Sequence, residues 1–247
     1  MKALIFAAGL GTRLKPLTDT MPKALVKVGG RPLLQIVCEK LVAAGTNEIV
    51  VNAHHFSEQI KEWIAAHDFS VPVKVSDETN RLLDTGGGLR KALPLFSDKN
   101  EPILIHNVDI LSNLDLGEFY KTYAGQAAAL LLVSQRATSR YLLFDHSNRL
   151  VGWTNVDTGE VRSPFRNLDV SCCKKYAFSG IHIFGHELRP LLNDFPEKFS
   201  IIDFYLSVCD KVPVCAHFSP NLQLLDVGKI NSLTAAEDFL KDVQKVK

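Results

Sequence analysis

Neither sign of charge dominates this sequence: Lys and Arg total 28 against 27 Asp and Glu, a net charge of +1. A chain so balanced has no global field to gather nucleic acid or an anionic membrane, so any phosphate recognition must be local. Cysteine is sparse and poorly spaced for chemistry. Cys38, Cys172, Cys173, Cys209 and Cys215 are odd in number and contain no Cys-x-x-Cys, which argues against zinc or a redox pair and for reduced thiols. No apolar run is long enough to span a bilayer, and the amino terminus shows one lysine and a short apolar run rather than a signal peptide. The expectation is a soluble, cytoplasmic protein. His54-His55 have no partners at metal-ligand spacing and read as loop histidines.

What is present is apolar bulk in regular alternation. A chain of 247 residues with 46% hydrophobic content can bury one large core, and residues 1–247 are expected to form a single domain. Lys2 to Ala7 reads as a buried strand, Pro32 to Ala44 as a helix opened by proline and closed by Gly45, and Glu48 to Ala53 as a second strand. Ser57 to Ala66 suits a helix with Ser57 as N-cap, and Val71 to Val75 a strand at a sheet margin, where Pro72 is tolerated. A helix led by Gly87-Gly88, a strand over 102–106, a helix over Leu116–Tyr123 and a central strand over 127–133 extend the pattern. It predicts an α/β fold with a doubly wound, mixed but mostly parallel sheet. From Tyr141 to about Ile183, Asp-His-Ser-Asn and Asp-Thr-Gly turn chemistry predicts a small antiparallel excursion. Helices at His186–Asn193 and Ile201–Cys209, a strand near Val212–His217 and a helix from Ser232 onward complete it.

The first strand runs directly into Ala8-Gly9-Leu10-Gly11-Thr12-Arg13, followed by Pro22-Lys23-Ala24-Leu25. Small residues after a buried strand let the backbone turn tightly and aim N–H groups at anionic oxygens, while Arg13 and Lys23 add positive charge. Two familiar glycine motifs fail here. The dinucleotide fingerprint needs a third glycine where Leu14 stands, and the P-loop needs Gly-Lys followed by Ser or Thr, whereas Gly11 is followed by Thr12-Arg13.

The stretch Ala7-Ala8-Gly9-Leu10-Gly11-Thr12-Arg13-Leu14-Lys15-Pro16-Leu17-Thr18 with Met21-Pro22-Lys23-Ala24-Leu25 resembles the signature of the sugar-1-phosphate nucleotidylyltransferases. Asp84-Thr85-Gly86-Gly87-Gly88-Leu89, Asn107-Val108-Asp109, Phe178-Ser179-Gly180-Ile181 and Leu225-Asp226-Val227-Gly228 follow in that family's order. The resemblance spans nearly the whole chain. It implies Mg2+-dependent transfer of a nucleotidyl group from a nucleoside triphosphate to a sugar 1-phosphate, with release of pyrophosphate. Ala8 in place of a second glycine is similar to the uridylyl and cytidylyl branches, and the run Asp84 to Leu93 is similar to the uridylyltransferases, which puts UTP first. Alternatives are mannose- or heptose-1-phosphate guanylyltransferase, phosphocholine cytidylyltransferase and, from another class, a non-catalytic nucleotide-binding subunit. Neither nucleic acid nor membrane is expected as a partner. The absence of a hexapeptide repeat argues against the β-helical extension that some relatives carry.

Such a transfer is an in-line displacement, so the protein positions groups and neutralises charge. Arg13 and Lys23 are the expected catalytic cations, the first forked and the second a mobile point charge. Asp109 follows a parallel strand, where open α/β sheets place ligands; with Asp226, which the resemblance singles out, it is the expected Mg2+ pair. Ala7, Ala8, Gly9, Gly11 and Thr12 are expected around the nucleotide phosphates. By the resemblance, Asp84, Thr85, Gly86 and Gly87 lie against base or ribose. Asn107, Ser179, Gly180 and Asp203 are sugar-side residues by the resemblance alone. Two departures stand out: Val108 replaces the glycine that usually precedes the aspartate, and the Glu-Lys-Pro segment of many relatives is missing between Val151 and Tyr176, where Lys174 or Lys175 could substitute.

Overall fold

The run Lys2–Phe6 (β1) is buried at every position, so it has no polar face to give to water and must lie inside a sheet covered on both sides. The computed structural model describes residues 1–123, 125 and 127–245 and bears this out. After β1 come the short pair β2 (Lys27–Val28) and β3 (Arg31–Pro32), then α1 (Leu33–Ala43), β4 (Glu48–Ala53), α2 (Ser57–Ala65), β5 (Val73–Asp77) and α3 (Asp84–Ala92). They are followed by β6 (Ile103–Asn107), β7 (Ile110–Ser112), α4 (Leu116–Thr122), β8 (Ala129–Ser134), β9 (Arg140–Phe144), β10 (Leu150–Asn155) and β11 (Val161–Arg162). The long β12 (Lys174–Phe184), α5 (Ile201–Val208), β13 (Val214–His217), β14 (Leu224–Asp226) and α6 (Ser232–Lys245) complete the order.

The sheet is mixed and doubly wound, as the alternation predicts. Strands β5, β4, β1 and β6 run parallel in that order, and β12 joins β6 antiparallel. On its far side β12 carries β8, with β13 parallel beyond it, while its first half pairs with β9 in the expected antiparallel excursion to β10 and β11. Alternate residues of β1 feed opposite cores. Ala3 and Ile5 pack with α1, α2 and α4, whereas Leu4 and Phe6 pack with α3 and α5. The chain leaves β1 toward β4 on one side and β6 on the other, which opens a crevice at the carboxyl ends of these strands. Among the described residues no helix is long and apolar enough to cross a membrane.

Local details differ from expectation where side-chain chemistry overrides pattern. His186–Asn193 is not an α-helix but two 3-10 turns, His186–Leu188 and Pro190–Asp194, because Pro190 supplies no N–H to continue the first. Helix α2 is entered through Phe56 in a left-handed conformation, while the Ser57 hydroxyl pairs with Thr79 rather than capping. Helix α3 begins at Asp84, earlier than Gly87. Pro72 stands just outside edge strand β5, where its missing N–H costs no ladder bond. The closing helix beyond Lys245 lies outside the described residues.

Two histidines are buried in adjoining strands, His106 on β6 and His182 on β12, and burial pushes both down from 6.5 to about 3. The folded state therefore keeps them neutral while the unfolded chain protonates them below about pH 6.5. Their contribution is complete above that value and is lost progressively as pH falls toward 3. At about pH 5 each is expected to withdraw about 2 kcal/mol. Urea unfolding at pH 7.5 and pH 5 should show the loss, and His182→Leu should make stability less dependent on pH. An unaltered dependence in that variant would refute the assignment.

Candidate active site

The turn after β1 is held by a side chain that sequence reasoning did not single out. Asn52, at the end of β4, accepts the Ala7 N–H at 2.7 Å and the Ala8 N–H at 3.2 Å on Oδ1. Its Nδ2 donates to Glu78 Oε1 at 2.8 Å, and Glu78 Oε2 accepts the Leu83 N–H at 3.1 Å just before α3. Two buried polar groups thus tie the glycine turn to the start of α3 across the crevice. Burial raises the Glu78 carboxyl above its usual range, against the lowering effect of the Leu83 and Asn52 bonds. The expectation that the turn aims its first N–H groups outward is corrected by this network: those of Ala7 and Ala8 are already donated. An asparagine directly after the apolar run Ile49-Val50-Val51 was the available clue.

Further along the turn, Gly11 is left-handed, with φ 64°, and its carbonyl accepts the Leu14 N–H and the Thr18 hydroxyl, each at 2.8 Å. The conformation favours glycine, and a β-carbon there would lie 2.8 Å from Thr18 Cγ2. Thr12 and Arg13 are exposed beyond it, outside the crevice wall. Gly9 differs from Gly11: it has ordinary φ, and a β-carbon there would meet nothing within 4 Å. Among the described residues no contact explains a glycine at 9.

The crevice itself is a cavity of about 240 Å³ that brings together Ala7, Ala8, Gly9, Lys23, Asn52, Asp84, Thr85, Asn107 and Asp109. Lys23 is buried, and its ammonium pairs with the Asp109 carboxylate. Val108, where a glycine was expected, donates its N–H to Phe6 O at 3.1 Å and extends the β1–β6 ladder, so Asp109 stands at the first turn beyond it. Asp226 is close by through the backbone: it opposes Ile110 across β14 and β7, and the Val227 N–H donates to Asp109 O at 2.8 Å. A β-carbon on Gly228 would lie 2.6 Å from Asp226 Oδ1 and 2.7 Å from Arg13 Nη2. Arg13 and Asp226 therefore share one neighbourhood at the rim.

Gly86 and Gly87 of α3 are turned away from the crevice. Gly86 and Gly87 donate their N–H groups to Phe199 O, and a β-carbon would lie 2.3 Å from the Phe199 ring at Gly86 and 2.3 Å from Glu197 O at Gly87. They are glycines because α3 packs against 197–199 at backbone distance. Asp84 and Thr85 do face the crevice; Asp84 is left-handed, with φ 64°, and accepts the Thr85 N–H on Oδ1 at 3.0 Å.

Of the sugar-side residues, Gly180 is a left-handed bend in β12, where a β-carbon would stand 2.8 Å from Asn107 Nδ2. Ser179 is buried beside it. Asp203 does not line this crevice; it pairs with Arg162 at 2.5 Å on the wall of a second cavity. Lys174 is directed at the 146–148 turn, where it donates to His146 O and Asn148 Oδ1.

Residues 2–163 match the model of the nucleotidyl transferase family. An N-acetylmuramate alpha-1-phosphate uridylyltransferase of Caulobacter vibrioides is 39% identical over 110 residues, 43% of this chain and 45% of that protein. A mannose-1-phosphate guanyltransferase of Gibberella zeae is 32% identical over 151 residues, 59% of this chain and 41% of its own length. The chain spans about half the length of the curated relatives it matches. In fold, it superposes on a UDP-glucose pyrophosphorylase complexed with UDP-glucose with a TM-score of 0.77 at 15% identity, covering 98% of both chains.

Proposed function

The chain belongs to the nucleotidyl transferase family, and from that premise we propose that it transfers a nucleotidyl group, from UTP by preference, to a sugar 1-phosphate. A phosphate oxygen of the sugar attacks the α-phosphorus, the bond to the β-phosphate breaks, and pyrophosphate leaves in line. The observation that carries this reading is the Lys23–Asp109 pair at the carboxyl ends of β1 and β6, with the Asp226 strand hydrogen-bonded beside it. Lys23 can exchange its carboxylate for the α-phosphate, and Arg13 at the rim can take the departing phosphates in a forked contact. Asn107 and the Gly180 bend bound the acceptor side.

Two carboxylates, Asp109 in the turn between β6 and β7 and Asp226 at the end of β14, are a hard-oxygen donor set that fits Mg2+, which takes one or two protein carboxylates and fills its shell with water and phosphate. Asp109 and Asp226 would hold it. When bound, the ion supplies neutralisation of the phosphate charge.

UTP is favoured by similarity to the Caulobacter uridylyltransferase, and GTP is the second reading because the guanyltransferase match extends over more residues. Pyrophosphate release measured with UTP, dTTP, CTP, GTP and ATP, each with a panel of sugar 1-phosphates and Mg2+, tests both. UTP should give the highest kcat/KM. A preference for GTP would overturn the base assignment, and no release with any pair would overturn the transfer.

Gly9 offers an independent check. A Gly9→Ala variant should unfold at the wild-type temperature, since nothing in the fold meets the new methyl, yet raise KM for the triphosphate about tenfold by holding phosphate off the turn. An unchanged KM would place the triphosphate elsewhere.

A further inference from the structure

A second cavity, of about 420 Å³, has walls basic out of proportion to a chain of net charge +1. Arg136, Arg140 and Arg162 line it against one carboxylate, Asp203. That carboxylate is already taken. Arg162 Nη1 lies 2.5 Å from Asp203 Oδ1, and its guanidinium stacks 4.0 Å from the Trp153 ring centre. Arg162 is thereby fixed as a wall, its charge balanced. Arg136 donates to the Phe178 carbonyl at 3.2 Å, a neutral partner, and among the described residues neither Arg136 nor Arg140 forms an ion pair. Two cations face the cavity uncompensated.

The cavity adjoins the crevice along one strand. Strand β8 holds one edge of β12, so β6 and β9 share the other. Leu142 opposes Tyr176, which brings Arg140 level with Phe178, and Ile181 opposes His106. Three residues separate those levels, with the irregular Gly180 bend between, so they stand no more than about 10 Å apart. On the opposite wall Thr85 Oγ1 accepts the Ile201 N–H at 2.9 Å, joining the crevice to the start of α5. A sugar whose 1-phosphate sits by Asn107 and Asp109 would extend its far side toward Arg140.

We propose that Arg136 and Arg140 select a sugar 1-phosphate bearing a second negative charge on the side of the ring remote from the reacting phosphate. The inference rests on the transfer reaction proposed above and names the class of acceptor for it. A planar guanidinium fork suits a carboxylate or a phosphate alike, so an anion is the shared chemistry.

The test compares acceptors that differ in the group carrying that charge: galacturonate 1-phosphate with galactose 1-phosphate, N-acetylmuramate 1-phosphate with N-acetylglucosamine 1-phosphate, and glucose 1,6-bisphosphate with glucose 1-phosphate. In at least one pair the charged member should be preferred about tenfold in kcat/KM, and Arg140→Gln or Arg136→Gln should remove most of that ratio. Arg140→Lys should keep more of it than Arg140→Gln. A preference confined to the first two pairs identifies a carboxylate, and one confined to the third a phosphate. Ratios near one in the wild type, or equal losses for both members of a pair in the variants, would overturn the proposal and leave the transfer reaction standing. No pyrophosphate from any pair with any triphosphate would remove the transfer reading and this inference with it.

Discussion

An Asp109→Asn variant should lose about a thousandfold in kcat for pyrophosphate release while remaining folded. Asparagine keeps the shape of the side chain, so the turn after β6 and the Val227 bond to the 109 carbonyl persist. What is lost is charge. A neutral amide cannot hold a hard divalent ion, and it no longer balances Lys23, whose side chain is only 10% exposed. A lone buried ammonium also destabilises the fold, by about 1–3 kcal/mol, which thermal unfolding would register separately from turnover. Titration with Mg2+ should reach half-maximal activity at a higher ion concentration in the variant. Wild-type output from Asp109→Ala would instead favour a nucleotide-binding subunit without catalysis.

Gly87→Ala is expected to damage the fold more than Gly9→Ala or Gly88→Ala. Its new methyl would lie 2.3 Å from the Glu197 carbonyl oxygen and 3.1 Å from Leu83 Cβ, and a backbone oxygen cannot swing aside as a side chain can. Relief requires α3 to separate from 197–199, at about 3 kcal/mol or more. For a chain of this length that is roughly 6–12 °C in Tm. Activity should fall with it, because Asp84 and Thr85 ride on the same helix. Gly88→Ala is a graded comparison, since its methyl meets the side-chain ends of Glu78 and Asn52 at 2.7 and 2.8 Å. A Tm for Gly87→Ala within about a degree of wild type would sink the packing account.

The contrast between these glycines marks what could be read in advance. Gly9 and Gly11 follow an apolar strand and precede two cations, so their place at a turn by a binding crevice was legible from neighbours in the chain. Gly86 and Gly87 looked equally available to a ligand. Their reason is Phe199 and Glu197, more than a hundred residues away, and no local pattern announces such a partner. Asp109 was legible from the strand before it, while Lys23 as its buried counter-ion was not. Asp203 was expected on the acceptor side from the resemblance, while its pairing with Arg162 and the two uncompensated arginines beside it emerged only when β8, β9 and β11 came together.

Apolar periodicity, turn residues and the signature in the opening segment were enough to determine a doubly wound sheet with a phosphate-sized turn at the carboxyl ends of its strands. Those properties depend on backbone preference and burial, which act over a few residues and are written in consecutive letters. Only the tertiary structure decided that Asn52 takes the amides of Ala7 and Ala8, that Glu78 bridges to α3, and which charges are left unbalanced. Hydrogen bonds and ion pairs form between whichever groups packing brings within about 3 Å, and that proximity belongs to the folded chain as a whole.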